Sequence, residues 1–215
     1  MPATTLWLRQ QRDGPPHPAS AIRHGINASL IVQCTMFFDG LIASGLTHAL
    51  ETPRDLNSNT ARLQAEYHDR VHRENAFAKN SRMFRIITGK TLSELMQNDE
   101  RWKSLDILFK FRNGLAHGRL LEYRVYFDRE TAQYDPDFSG SYADVEKYLL
   151  EKNLINTVVK NEGSAFHFLE NNIADHFCGL LRPLSFDIAS FFPDYVEKHL
   201  KAMIDDAFKQ WPHYH

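Results

Sequence analysis

The strongest constraint on this chain is a long apolar pattern over 19–50. Ile22, Ile26, Leu30, Met36 with Phe37, Leu41 and Leu50 recur there at the spacing of one helix face. Its most apolar part, 29–46, contains Asp39, Gly40 and Gly45. A membrane span needs roughly 20 mainly apolar residues with few or no charges. The segment therefore reads as a buried helix rather than a membrane anchor, and no membrane partner is expected.

Punctuation on either side sets the rest of the organisation. Residues 1–18 carry Asp13, Gly14, Pro15, Pro16 and Pro18 and have no apolar core of signal-peptide length, so they read as a flexible leader. Pro53, Asn57 and Asn59 break the chain after the first helix. Thr60 can cap a second helix through Phe77, resuming through Ile87 and stopping at Gly89. A short helical piece is expected over 91–96 and a longer helix over 102–116, with Gly118 placed to end it. Leu121, Tyr123, Val125 and Phe127 then alternate as a strand does, and Asp135-Pro136-Asp137 and Ser139-Gly140-Ser141 supply a turn. Residues 143–152 look helical, and 161–163 break the chain again. Ser164, with Phe166 and Phe168, opens a long helical region interrupted at Pro183 and Pro193. The expectation is an all-α fold, a single domain over 19–215, with a small β insertion at about 119–140 after the 102–116 helix.

Composition narrows the function classes. With 43% hydrophobic and 24% charged residues among 215, the chain can bury a core, and disorder is excluded for most of it. The 25 basic and 27 acidic residues give a net charge of −2, so any nucleic-acid contact must be a local patch. Cys34 and Cys178 lie far apart and form no metal-type cluster. A disulfide scaffold is not expected, and a reducing cytoplasm is the default compartment.

The chemistry concentrates in 102–117. At about 100° per residue, Trp102, Leu105, Ile107, Leu108, Phe109, Phe111, Leu115 and Ala116 form a broad apolar arc, opposite Lys103, Asp106, Lys110, Asn113 and His117. Arg112 breaks the pattern, falling inside the apolar arc between Leu108 and Leu105. A guanidinium there needs a carboxylate, a subunit interface or a ligand; an internal ion pair, for example with Asp39, is the plainest answer. Asn113 and His117 are four apart, so the amide can orient the imidazole.

The segment Leu108-Phe109-Lys110-Phe111-Arg112-Asn113-Gly114-Leu115-Ala116-His117-Gly118 resembles the signature of the HEPN superfamily of helical nucleotide-binding domains. Arg112, the polar Asn113, His117 and the following Gly118 match that signature one by one. The resemblance covers about 89–118 and is architectural beyond it. It implies a HEPN-like helical bundle and a metal-independent endoribonuclease without cofactor, acting as a toxin or phage-defence effector. It also implies a homodimer whose two motifs share one cleft, which would cover an arginine on an apolar face. A cognate antitoxin or defence-system protein would be a further partner.

Such chemistry needs a base for the 2′-hydroxyl, an acid for the 5′-oxygen and cations for the phosphorane. His117 can carry the proton near neutral pH, Arg112 offers a permanent fork to phosphate oxygens, and Asn113 can hold the imidazole or donate to phosphate. The implied products are a 2′,3′-cyclic phosphate and a 5′-hydroxyl. Lys110, Arg119, Arg82 and Arg85 are the candidate RNA contacts. Arg119 also marks a departure: some HEPN toxins carry a tyrosine there that a nucleotidyltransferase antitoxin modifies. Tyr123 is too far along to replace it, so the resemblance does not carry that mode of control.

Other features weigh less. His68 and His72 stand one helical turn apart and could chelate a metal, but Asp69, Arg70 and Val71 between them are not a zinc-protease pattern. A metal-dependent hydrolase built on them is a third reading, and no metal site is expected. Arg70, Arg73, Lys79, Arg82, Arg85 and Lys90 make a locally basic stretch, either a solvated face or an RNA strip. The main competitor to the ribonuclease is a non-catalytic HEPN-like module that binds a nucleotide or a protein.

Overall fold

A computed structural model describes residues 2–15, 19–51, 76–96, 100–116, 124–128, 133–137, 141–156 and 168–209. In chain order it contains α1 (Pro2–Asp13), α2 (Ser20–Glu51), α3 (Ala76–Thr88), α4 (Leu92–Met96) and α5 (Glu100–Ala116). There follow β1 (Arg124–Asp128), β2 (Gln133–Asp137), α6 (Ser141–Glu151), α7 (Asn171–Ala189) and α8 (Asp194–Lys209). The described chain is mostly helical. β1 and β2 pair antiparallel, with Tyr126 opposite Asp135 and Val125 opposite Pro136. Asp135 to Asp137, read as a turn, thus lie in β2. A two-stranded ladder tolerates Pro136 because each strand keeps one edge where a missing N–H costs nothing.

The chain packs as two compact units, one of Met1–Thr4, Met36–Lys103 and Gly179–His215, the other of Thr5–Thr35 and Ser104–Cys178. α1, α2, α5 and α7 each give residues to both units. Length explains this for α2. Its 32 residues reach roughly 48 Å at 1.5 Å per residue, more than the roughly 30 Å of a small domain. This helix is long and apolar enough to cross a membrane by length and composition. Leu30, Ile31 and Cys34 nonetheless line the core of the second unit, and Phe38, Ile42 and Leu46 that of the first.

In the first unit, α8 buries Val196, Leu200, Ile204 and Phe208 at four-residue steps, while Glu197 and Lys201 pair on its outer side at 2.6 Å. Gly45 sits mid-helix because a Cβ there would stand 2.8 Å from the Phe192 ring, which packs edge-on against Phe84. Gly89, at φ +80°, ends α3 by returning its N–H to the Arg85 carbonyl. Thr91 and Glu94 then cap α4 reciprocally, each accepting from the other's backbone N–H.

Pro183 does not interrupt α7, contrary to expectation. A proline inside a helix costs about 3 kcal/mol. Its ring lies on the exposed side, while Leu181, Leu184 and Ile188 are buried around it, each worth about 1.5–3 kcal/mol. Burial wins. The helix stops before Pro193 instead, whose carbonyl accepts from Val196 and Glu197 to start α8.

The flexible leader also requires correction, because Pro2–Asp13 form a helix that docks in the second unit from Thr5 onward. The N–H of Gly14 bonds to the Gln10 carbonyl and closes α1 just before Pro15, so the proline cluster follows a helix end. Arg12 anchors it at 3% exposure. Its Nη1 donates to Asn27 Oδ1 at 3.1 Å and its Nη2 to Asp175 Oδ1 at 3.0 Å. Asn27, fully buried, donates in turn to the Leu169 carbonyl and to Asn171 Oδ1. Arg12→Ala should therefore cost on the order of 2 kcal/mol, below the full penalty of a broken buried pair because Asp175 is partly solvated and keeps Arg9. Urea denaturation checks this, and a loss under about 0.5 kcal/mol would mean that α1 is not anchored.

Candidate functional site

Arg112 and Asn113 stand in the last turn of α5, in the second unit. Buried residues occupy most of the circumference of this helix. Leu105 is 0% exposed and Phe109 8%, with Ile107, Leu108 and Phe111 equally enclosed. Leu105 and Phe109, which the helix period leaves open to a partner or to the chain's own core, are covered by the chain itself. The cover thins toward the helix end, where Leu115 is half-buried and Ala116 exposed. That is how an arginine on the apolar arc escapes burial, since its long stem lets the head reach solvent.

Arg112 is half-buried, and its Nη1 donates to the Oδ1 of exposed Asn113 at 3.0 Å. No carboxylate among the described residues pairs with Arg112, so the internal ion pair weighed from the sequence is not found among them. Asn113, expected to hold the imidazole, spends its amide oxygen on the guanidinium. A neutral acceptor orients Arg112 without cancelling its charge, leaving a cation fit for an anion.

Lys110 has a different fate. Its Nζ lies 2.7 Å from Asp144 and 2.9 Å from Asp106. Burial alone would lower its pKa, but the hydrogen bonds to Asp144 and Asp106 outweigh it and leave the ammonium stabilised. Lys110 is committed to carboxylates rather than offered to phosphate. Arg82 is half-buried and Arg85 exposed on α3, in the first unit. His117 and Arg119 lie outside the described residues, as do His68 and His72.

A polar network that local spacing does not reveal lies in the same unit. Tyr148, fully buried on α6, donates to Ser104 Oγ at 2.7 Å, and its oxygen is 2.7 Å from His176 Nε2. The partners are 44 and 28 residues away, beyond any helical or strand period. Burial first, and then the charge of Lys152, lower the pKa of His176 from its usual 6.5. With the hydroxyl proton given to Ser104, neutral His176 donates Nε2–H to Tyr148.

The depressed pKa has a stability consequence. Below about pH 6.5 the unfolded chain takes up a proton that folded His176 resists, so the unfolded state binds more protons and stability falls as the pH is lowered. Stability should therefore decline from about pH 7 to pH 5, and His176→Gln should flatten that slope. Urea midpoints across the range measure it; an unchanged slope in the variant would assign the decline elsewhere.

No family profile, no curated protein and no solved structure matches the chain. The residues and their geometry carry the functional reading.

Proposed function

We propose that this chain is a metal-independent endoribonuclease of HEPN type, acting in the cytoplasm as a toxin or phage-defence effector. Arg112 and His117 are its catalytic pair, in a cleft completed by a second copy of the chain. On this reading the helical fold is a HEPN-like bundle, the hairpin after α5 is its small β insertion, and a cognate antitoxin or defence protein controls it. One observation carries the proposal: Arg112 ends α5 half-exposed, held by a neutral amide, with its charge uncompensated by any described carboxylate.

The roles follow from chemistry. His117 moves the proton between the 2′-hydroxyl and the leaving 5′-oxygen, Arg112 holds the phosphorane oxygens, and Asn113 is a positioning residue for Arg112. With Lys110 held by carboxylates, Arg119 is the RNA contact proposed beside the motif, and Arg82 and Arg85 are candidates on α3 in the first unit. Since Leu105 and Phe109 serve the chain's own core, a dimer would meet at the last turn of α5, around Arg112 and Ala116.

The test is RNA cleavage by the purified chain in excess EDTA. The expected result is fragments ending in 2′,3′-cyclic phosphate, absent with a folded His117→Ala protein. Full activity in that variant, or activity restored only by zinc, would end the reading. Specific activity that is undiminished on dilution of a monomer, followed by light scattering, would remove the shared cleft.

A second reading draws on Lys110. The cation beside the motif is cancelled by Asp106 and Asp144, which suits a non-catalytic module binding a nucleotide or a protein. Binding of RNA without cleavage in the same assay would favour it.

A further inference from the structure

The chain has two cysteines, and both are free and buried in the second unit. Cys34 on α2 is 0% exposed and Cys178 on α7 1%. Though 144 residues apart in sequence, their sulfurs stand 3.7 Å from each other, close enough that no other atom fits between. One thiol hydrogen-bonds the other. A disulfide needs the sulfurs at about 2.05 Å, so the pair has to close from 3.7 Å.

The two thiols are also unequal. The hydrogen bond with Cys178, and then burial, push Cys34 well up, so it keeps its proton. The same contact draws Cys178 down against its own burial, with Arg9 and Arg12 adding to that effect and Asp175 opposing it. Cys178 is the readier thiolate and Cys34 the thiol beside it, an arrangement of attacking and resolving cysteines.

We propose that Cys34 and Cys178 are a redox modification site, at which an oxidant of the peroxide class joins α2 to α7 by an intramolecular disulfide. The Cys178 thiolate attacks one peroxide oxygen and the O–O bond breaks. Cys178 becomes a sulfenic acid, and the hydroxide released takes up the proton that Cys178 gave up, forming water. The Cys34 sulfur then attacks the Cys178 sulfur, the S–O bond breaks, and the departing hydroxide leaves with the Cys34 proton as a second water. Two thiols lose two electrons in total, and one peroxide becomes two waters. A dithiol reductant reverses the bond. Because both sulfurs are buried, oxidation proceeds at the pace of local opening.

The experiment treats the native full chain with hydrogen peroxide, blocks remaining thiols with an alkylating reagent after denaturation, and reads intact mass and peptide map. The expected result is loss of two hydrogen atoms, no inter-chain band on a non-reducing gel, a linked Cys34–Cys178 peptide, and reversal by dithiothreitol. Cys34→Ser should instead leave Cys178 carrying added oxygen. The wild-type measurement stands if that variant does not fold. The proposal fails if both thiols remain fully alkylatable at a dose that oxidises an exposed-thiol control protein. It fails equally if wild-type Cys178 advances to sulfinic acid without a linked peptide, or if linkage forms only between chains. None of these outcomes depends on ribonuclease activity.

Discussion

Arg112→Ala should lower RNA cleavage by about a hundredfold or more, some 2.7 kcal/mol of transition-state stabilisation, while leaving the melting temperature nearly unchanged. On the proposed mechanism, activity falls because the guanidinium would meet charge on the phosphorane. Stability holds because the side chain is half-exposed and its hydrogen bond goes to exposed Asn113, a surface contact of small worth. Arg112→Lys sharpens the test. A lysine keeps the charge but loses the fork, so it should recover only part of the activity. Cleavage undiminished in a folded Arg112→Ala protein would remove the arginine from the mechanism. A large loss of stability would make it a structural residue instead.

The neighbouring residue should behave in the opposite way. Phe111 is 1% exposed, and its ring meets Phe168 edge-on at 6.3 Å and Phe177 at 6.0 Å. Phe111→Ala removes the ring from a closed aromatic cluster and should cost about 3–5 kcal/mol, a large share of the 5–15 kcal/mol that holds a typical domain. Phe111→Leu, which refills much of the space, should cost much less. Denaturant unfolding measures both, and a loss under about 1 kcal/mol for alanine would show that the ring is not part of the core. Activity in the alanine variant should track the folded fraction, which separates this position from Arg112.

The helices were legible where one face or one stop signal dominates. The apolar period over 19–50 marks α2 to within a residue of Ser20–Glu51, and Gly89 and Thr91 mark the junction of α3 and α4. Arg112 stood out as the residue that breaks its helix pattern, and the structure shows why it can. What the period could not say is which element covers an apolar arc. Leu105 and Phe109 looked equally fit for a partner and for the chain's own core. Pro183 was misread because proline's local cost is visible in sequence while the burial that offsets it is not. α1 was missed because a proline cluster after a helix looks like a proline cluster without one. Arg12 with Asp175, Tyr148 with Ser104, and Cys34 with Cys178 are pairings of distant segments, on which local spacing is silent.

The anchoring of α1 has a consequence for biosynthesis. Arg12 and Asp175 are separated by 163 residues, so α1 depends on a carboxylate made that much later. At about 5–20 residues per second, the ribosome takes on the order of ten seconds to supply that partner. Through that interval the arginine has Asp13 and Asn27 to turn to, and the faces of α1 and α2 that α7 will cover stay open to chaperones. The second unit can close only once translation has passed α7.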